Sequence, residues 1–512
     1  TMEYYRLEKK LKKEKKPEIE KEKVIEKPEE EVEKVPEDDR KVIFINKIVT
    51  NRSEILSIEE IQQITHKYEG KSASIKVLFE IVEKINELYK TKNYIAAKAI
   101  LPRQKVESGI IKIRLIEAHV GEILVENNKS TKDSFLKKRI SLNSGDLIKL
   151  DDLERDIIFF NRVNDVKIRA ELKPGEEFGT TDCILRTEEP QKYHMSLFLD
   201  NAGRKAVGRE RLGLFVKDSS LLGYRDPLTI SALTADGTLS GSASYDFPID
   251  TQGTRLGATY GYNQIKVKSG PLEDLDIGGD SYDLGINLSH PFIVKPRFKL
   301  DGFIGFHKKR SRTEFADVTL FETEVRSFIL GCDFQSFDDH GSWYCSHKIT
   351  QGRNNYGDDK NFFKYNVWCT RLQRLKDGLV AVFRGSGQIA DSVLLPSSEQ
   401  FQIGGQSTVR GYSEGLLIGD DGYLLSAELM YSLTPGDKVK GFVFVDHGGA
   451  FPYKGAGESI DHKDFLTSVG FGLNINFSKY LTGRFNFGVP LGDREDDQKS
   501  VRFHFYLQSN IL

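Results

Sequence analysis

From about residue 190 almost to the C-terminus, apolar and polar residues alternate one for one. In YDLGINLSH, Tyr282, Leu284, Ile286 and Leu288 alternate with Asp283, Gly285, Asn287 and Ser289. RLGATYGYN sets Leu256, Ala258, Tyr260 and Tyr262 against small or polar partners, and RFKLDGFIGFH puts Phe298, Leu300, Ile304 and Phe306 on one face. RFNFGV continues the pattern with Phe485, Phe487 and Val489, and VRFHFYL with Val501, Phe503, Phe505 and Leu507. A period of two marks β-strands with two unlike faces, because successive side chains point to opposite sides.

A soluble sandwich alternates too. Two features favour a barrel in a membrane. The minor face is mostly Gly, Asn, Ser, Asp and Arg, which suits a wet interior. The strands also follow one another almost to the last residue, as closure without free edges requires. About sixteen candidate strands fall in residues 191–512, roughly twenty residues for each strand with its turn or loop, an even number and a porin-scale size. The 32 Phe, 20 Tyr and 45 Gly suit many short strands. No apolar run reaches the roughly 18 residues of a membrane-spanning helix, but a spanning strand needs only about ten.

Upstream the period changes to that of helices, in two similar segments. The first has a strand at KVIFINKIV and a helix in SIEEIQQITHKYEG, with Ser57 and Glu60 at capping-box spacing. A second helix spaces Ile75, Leu78, Ile81, Ile85 and Leu88 along one face, and strands follow around YIAAKAIL and GIIKIRLIEA. The second segment repeats the order with VGEILVEN, STKDSFLKKRI, LDDLERDIIFFNR, VKIRAEL and TDCILRTEE. Gly70 precedes Ile75, and Gly145 precedes Leu150, by the same interval, each pair opening a second helix. Two β-α-α-β-β units are expected, each with helices on one face of a small sheet. The other face and the edge of such a sheet can accept an added strand.

Residues 1–40 hold 12 Lys+Arg and 14 Asp+Glu with Pro17, Pro28 and Pro36, and read as a short basic helix followed by a solvated linker. TMEYYRLEKK lacks the regions of a signal peptide, which leaves either a cytoplasmic chain or a processed or trimmed form. The expected division is 1–40 as helix and linker, 41–117 and 118–189 as the two α+β units, and 190–512 as the barrel.

Several chemistries lack support. The net charge of −2 makes no case for a nucleic-acid partner. KYEGKS resembles the end of a phosphate-binding loop, but the required first glycine is Thr65, and Gly70 reads as a helix C-cap. HExxH and GxSxG are absent, and the ten His show no ligand grouping, so no enzyme, cofactor or metal site is expected. Cys183, Cys332, Cys345 and Cys369 form no CxxC pair. Cys332 and Cys345 can fall on neighbouring strands, although four separate thiols are the simpler reading.

One connection stands out. FQIGGQSTVRGYSEGLLIGDDGYLLSAELMY lies between the strands GLVAVFRGSGQIA and GYLLSAELMYSL, and the segment about 397–420 is long for a hairpin. It is glycine-rich yet carries Phe401, Val409, Tyr412 and Leu416, so folding back into the pore is one reading. An arginine inside a pore needs a partner. GFVFVDHGG sets Phe442, Phe444 and Asp446 on one face, with Gly448 following. If that face is inward, it can receive Arg410 and Tyr412. The alternative makes Arg410 a surface loop residue and Asp446 a turn cap.

Over about residues 41–512 the chain resembles the outer-membrane transporters of two-partner secretion, the TpsB family, whose members export haemolysins, filamentous-haemagglutinin-like adhesins and contact-dependent inhibition toxins. The resemblance rests on VRGY, here Val409, Arg410, Gly411 and Tyr412, on the strand motif of Phe444, Asp446 and Gly448, and on AILPRQKVESGIIKIRLIEAHVGEI at 99–123. It implies two POTRA-type domains in the periplasm before a sixteen-stranded barrel in the outer membrane. It also implies a loop arginine bound to the strand aspartate, and a pore-plugging helix for which residues 1–16 are short and very basic. The implied function is capture of an unfolded exoprotein and its translocation to the cell surface without nucleotide hydrolysis. The exoprotein would be a large β-helical adhesin, haemolysin or toxin, and the pore monomeric in outer-membrane lipid. An assembly factor for other barrels and a passive porin are the rival readings.

Overall fold

The computed structural model describes residues 25–26, 42–94, 96–316, 318–355, 360–391, 394–452, 460–492 and 500–511. The expected plug helix at residues 1–16 lies outside them. Two compact units divide between Pro190 and Gln191.

The first unit opens with β1 (Ile25–Glu26). Its first α+β segment runs β2 (Val42–Ile45), β3 (Lys47–Thr50), α1 (Ile58–Thr65), β4 (Lys71–Ser74), α2 (Ile75–Thr91), β5 (Ala97–Ile100) and β6 (Ile110–Glu117). The capping box forms: the Glu60 amide donates to Ser57 Oγ at 3.2 Å, and the Ser57 amide to Glu60 Oε2 at 2.8 Å. From α2, Leu78, Ile81, Val82, Ile85 and Tyr89 are buried in one core with Ile111, Ile113 and Leu115 of β6. A second segment follows with β7 (His119–Glu126), α3 (Asp133–Lys137), α4 (Leu150–Val163), β8 (Lys167–Pro174) and β9 (Thr180–Glu188). The second helices of the two segments begin at Ile75 and Leu150, the positions that the repeat spacing singles out.

Two details differ from the sequence reading. The helix expected across STKDSFLKKRI shrinks to Asp133–Lys137, because the Glu189 carboxylate takes the Ser130 and Thr131 amides at 2.8 and 2.9 Å and holds them in a turn. One sheet edge is also filled: β1 lies parallel to β8 in a sheet of order β1-β8-β9-β7.

The second unit is a closed antiparallel barrel of sixteen strands. In chain order they begin with β10 (Tyr193–Asp200), β11 (Arg211–Asp218), β12 (Leu228–Ala235), β13 (Thr238–Pro248) and β14 (Arg255–Lys266). The longest follow: β15 (Ile277–Lys295), β16 (Phe298–Phe315) and β17 (Val318–Asp338). Next come β18 (Gly341–Asn354), β19 (Asn361–Lys376) and β20 (Leu379–Ala390). After a small hairpin of β21 (Phe401–Ile403) and β22 (Leu417–Gly419), the wall resumes with β23 (Asp421–Ser432) and β24 (Val439–Phe451). It ends with β25 (Phe465–Asn476), β26 (Leu481–Pro490) and β27 (Arg502–Asn510). Closure is direct, since β10 pairs with β27 from Ser196↔Asn510 to Asp200↔Tyr506. Every wall strand is therefore paired on both sides, the condition for backbone to cross lipid.

Alternation sorts the two faces as the sequence pattern demands. Leu284, Ile286, Ile304, Phe306, Phe328 and Leu330 are exposed on the outer face. The cysteines correct the sequence reading: Cys345 is disulfide-bonded to Cys369, and Cys332 is free. Register explains the choice. Cys345 stands directly opposite Cys369 on β19, whereas toward β17 it faces Phe334, and Cys332 faces His347.

The core of the first α+β segment makes two expectations concrete. Ile85→Ala, at a fully buried site, is expected to destabilise by about 2–5 kcal/mol, read from a denaturant titration followed by helical circular dichroism. Glu69 adds a pH dependence. The Ile48 amide donates to Glu69 Oε1 at 2.9 Å, and with His66 beside it the carboxyl is held below its ordinary value. Its stabilisation is full above the unfolded carboxylate pKa of about 4.3 and is lost as pH falls through the lower folded value. Glu69→Gln is expected to flatten the acid limb of a pH–stability curve, and an unchanged limb counts against the assignment.

Candidate functional site

β20 is the eleventh wall strand and runs parallel to β10, so the connection to β23 leaves from the barrel end opposite the one where the chain enters. That connection, residues 391–420, does not stay outside. Its tip buries Val409, Arg410 and Tyr412, and Val409 and Tyr412 pack with Ile403 of the loop and with Leu424, Ala450 and Leu466 of the wall. The inward face of β24 receives it. Phe442, Phe444 and Asp446 are buried while Val443 and Val445, between them, are exposed on the other face. The Phe–x–Asp row therefore faces the lumen, and Arg410 is not a surface residue.

Arg410 is only 3% exposed and Asp446 is fully buried. The guanidinium grips the carboxylate with two bonds, Nε to Oδ2 and Nη2 to Oδ1, both 2.8 Å. The Arg410 amide donates to Oδ2 at 3.1 Å, and Ser426 Oγ donates to Oδ1 at 2.7 Å. The third guanidinium nitrogen, Nη1, reaches Glu428 Oε2 at 2.8 Å. The Phe444 ring lies 3.4 Å from the Arg410 guanidinium carbon, so the cation also rests on an aromatic face. A forked, charge-assisted pair of this kind fixes position and angle together.

The two motif glycines act through space rather than chemistry. Gly411 has φ of +114°, and a Cβ there would meet the Pro490 nitrogen at 3.1 Å and Ser468 Cβ at 3.2 Å. Gly448 admits the close approach of β23, since a Cβ would stand 2.6 Å from the Tyr423 carbonyl oxygen, whereas Ile403 Cδ1 of the loop would lie at an ordinary 3.4 Å. Tyr412 closes the tip by donating its hydroxyl to the Thr467 carbonyl at 3.1 Å.

All seven motif residues thus meet in one place. The sequence reading missed the partners on the neighbouring strands. Glu428 on β23 accepts from Arg484 Nη2 on β26 at 2.6 Å and lies 3.4 Å from Arg384 Nη2 on β20. Arg484 stacks 4.1 Å above the Phe442 ring. The available signal was local: Glu428 is a carboxylate on the lumenal side of LLSAELMYSL, where a charge needs a reason. Gly488 was also missed, and a Cβ there would come within 2.6 Å of the Gly411 amide.

Small α+β units leading into a closed barrel, with a loop clamped inside its lumen, define an outer-membrane transporter of the POTRA-barrel class. Residues 179–475 match the model of the haemolysin secretion/activation proteins ShlB/FhaC/HecB, and residues 43–118 match the ShlB-type POTRA domain. The chain belongs to the ShlB/FhaC/HecB family of two-partner-secretion outer-membrane transporters. It is 28% identical over 477 residues to the heme/hemopexin transporter protein HuxB of Haemophilus influenzae, covering 88% of this chain and 84% of that one. Its fold is similar to CdiB from Escherichia coli, with a TM-score of 0.66 at 20% identity over 94% of this chain and 92% of that one. It is also similar to BamA from Haemophilus ducreyi lacking POTRA domains 1–3, with a TM-score of 0.57 at 16% identity over 92% and 100% of the two chains. POTRA domains are periplasmic in this family, so the barrel end at Tyr193 faces the periplasm and the loop enters from the cell surface.

Removing one carboxylate from this cluster leaves buried cations uncompensated. Glu428→Gln is expected to cost about 3–5 kcal/mol, seen as a lower temperature at which the barrel loses its compact, detergent-resistant form on gels. Arg410→Lys keeps the charge but not the fork, and a smaller drop is expected.

Proposed function

We propose that this protein captures an unfolded exoprotein in the periplasm and passes it through the barrel to the cell surface, with the docked loop setting the resting state of the pore. The observation that carries the reading is the forked bond between Arg410 and Asp446 inside the lumen. Val409, Arg410, Gly411 and Tyr412 act as the translocation loop motif, and Phe444, Asp446 and Gly448 as its dock. The lumen beside the loop supports passage of a chain: a cavity of about 850 Å³ is lined by Ser231, Ser240, Ser242, Gly261 and Asn263 among others. The same cavity also meets Arg204, Arg211, Lys309, Asp200 and Asp283, so its wall offers hydrogen bonds and charges of both signs.

Capture falls to the α+β units, through strand addition and charged helices. Because β1 fills the β8 edge of the second α+β segment, the edge at β5 of the first segment, unpaired among the described residues, is the better acceptor. No nucleotide drives transport in this reading. Gly70 sits between α1 and β4, not between a strand and a helix N-terminus that would cradle phosphate. Folding of the exoprotein outside the cell supplies direction. The protein works as a monomeric pore in outer-membrane lipid, without cofactor, metal, nucleic-acid partner or catalysis. The cargo is a large β-helical adhesin, haemolysin or toxin, and the likeness to HuxB makes a heme- or hemopexin-related exoprotein one class to try.

Arg410→Ala is expected to reduce the exoprotein in the culture medium at least tenfold while the barrel stays in the outer-membrane fraction. Undiminished export removes the loop from the mechanism. Deletion of the protein separates this reading from barrel assembly: a transporter loses one exoprotein, and an assembly factor depletes many outer-membrane proteins.

A further inference from the structure

A second buried carboxylate on the same loop is not part of either motif. The short turn of 3-10 helix Ser397–Glu399 brings Glu399 against β16, β19 and β20, the last of which adjoins β23 of the Arg410 dock. Glu399 is 3% exposed. Lys309 Nζ of β16 lies 2.7 Å from its Oε1, and Lys364 Nζ of β19 lies 2.8 Å from its Oε2. Lys364 also donates to the Glu399 carbonyl at 2.8 Å, as does Gln388 Nε2 of β20 at 3.0 Å. Leu395, just upstream, is buried with Val325, Phe362 and Ala390 of the wall. Its amide donates to Asp420 Oδ2 at 3.0 Å, which ties the two ends of the loop together.

The residues that bind the two anchors directly lie on different strands, although β20, which carries Gln388, also brings Arg384 to 3.4 Å from Glu428. Arg410 is held by β23 and β24, with Arg484 of β26 behind them, whereas Glu399 is held by β16, β19 and β20. Freeing Arg410 releases the tip but leaves the arm at Glu399 bound. That arm borders two spaces. The 850 Å³ cavity and a second of about 280 Å³ both reach Asp283, Lys309 and Ser398, and Glu399 lines the second. A carboxylate held by two flexible ammonium groups is a looser clasp than a forked arginine pair, because lysine acts as a point charge without fixed geometry.

We propose that Glu399, clasped by Lys309 and Lys364, is a second positioning residue of the loop, independent of Arg410, and that the two lumenal cavities join only when this clasp opens. The inference rests on the reading that the loop moves during transport. Its test needs no exoprotein, so it fails or stands separately from the secretion phenotype of Arg410→Ala.

The full-length protein is purified in detergent and placed in planar bilayers. Glu399→Gln is expected to raise mean conductance at least twofold over the parent, and Glu399→Gln with Arg410→Ala to exceed either single change. A Leu395→Cys reporter, buried in the docked state, is expected to react with a small thiol reagent at least fivefold faster in the Glu399→Gln background, read on its own peptide by mass spectrometry. Lys309→Gln with Lys364→Gln removes the clasp from the wall side and should reproduce both effects. Parental conductance with a protected reporter overturns the proposal. So does an effect of Glu399→Gln that vanishes in the Arg410→Ala background, since the loop would then have one latch. Failure of both the Glu399 variant and the double lysine variant to form folded barrels overturns it as well, making the clasp a requirement of folding.

Discussion

A guanidinium cannot stay buried alone, and Arg410 lies almost wholly out of solvent in the middle of a barrel. That requirement organises the site. It calls for a carboxylate with both oxygens presented in the plane of the fork, and Asp446 supplies it. Asp446 is then fully occupied, by the Arg410 side chain and amide and by Ser426. The remaining nitrogen needs another acceptor, which is Glu428, and Glu428 gathers Arg484 and Arg384 around it. Three guanidinium groups and two carboxylates share one wall, so the cluster keeps an excess of one positive charge. The faces of Phe442 and Phe444 help to hold the two stacked cations.

The close fit of the chain around that cluster follows from the same contact. For the Arg410 amide to reach Asp446, loop backbone must touch wall backbone, and the wall is cut away where it does. Gly488 and Gly411 mark that approach: a Cβ on Gly488 would stand 2.6 Å from the Gly411 amide nitrogen, and one on Gly411 3.1 Å from the Pro490 nitrogen. The barrel permits this because its sixteen strands close on themselves. The hydrogen bonds of the wall are complete without the loop, which is free to use side chains and its own short hairpin of β21 and β22.

The barrel was legible because its signal is repeated: every strand contributes the same alternation, and lipid enforces it on one face. Helix starts were legible where a local chemical device sets them, as Ser57 and Glu60 do for α1. The late start of α3 was not, because what holds Ser130 and Thr131 outside it is Glu189, far along the chain. The dock shows the same divide. Val409 to Tyr412 and Phe444 to Gly448 are contiguous motifs, and the face of Phe442, Phe444 and Asp446 follows from a period of two. Glu428 offered a local hint as a lumenal carboxylate, but its pairing with Arg484, like that of Glu399 with its lysines, is set only by barrel register and loop path, which no local pattern encodes. The disulfide followed register too: Cys345 and Cys369 face one another across β18 and β19, a pairing visible only once turn lengths are known.

The energetics of such a cluster suit a dock more than a brace. Bringing charges out of water costs several kcal/mol for each ion, and their attraction repays that cost only when geometry is good. The net stabilisation from the docked loop is therefore modest even though its gross interactions are large. What the forked geometry secures is uniqueness: displaced from its seat, Arg410 loses both Asp446 bonds together and leaves the buried Asp446 carboxylate without its cation. Intermediate positions are penalised more than either the seated loop or one fully released into water, where every charge is solvated again. On the proposed reading, the loop tip held this way has two preferred positions separated by partly unpaired ones, and it leaves its seat by discrete release rather than by gradual yielding.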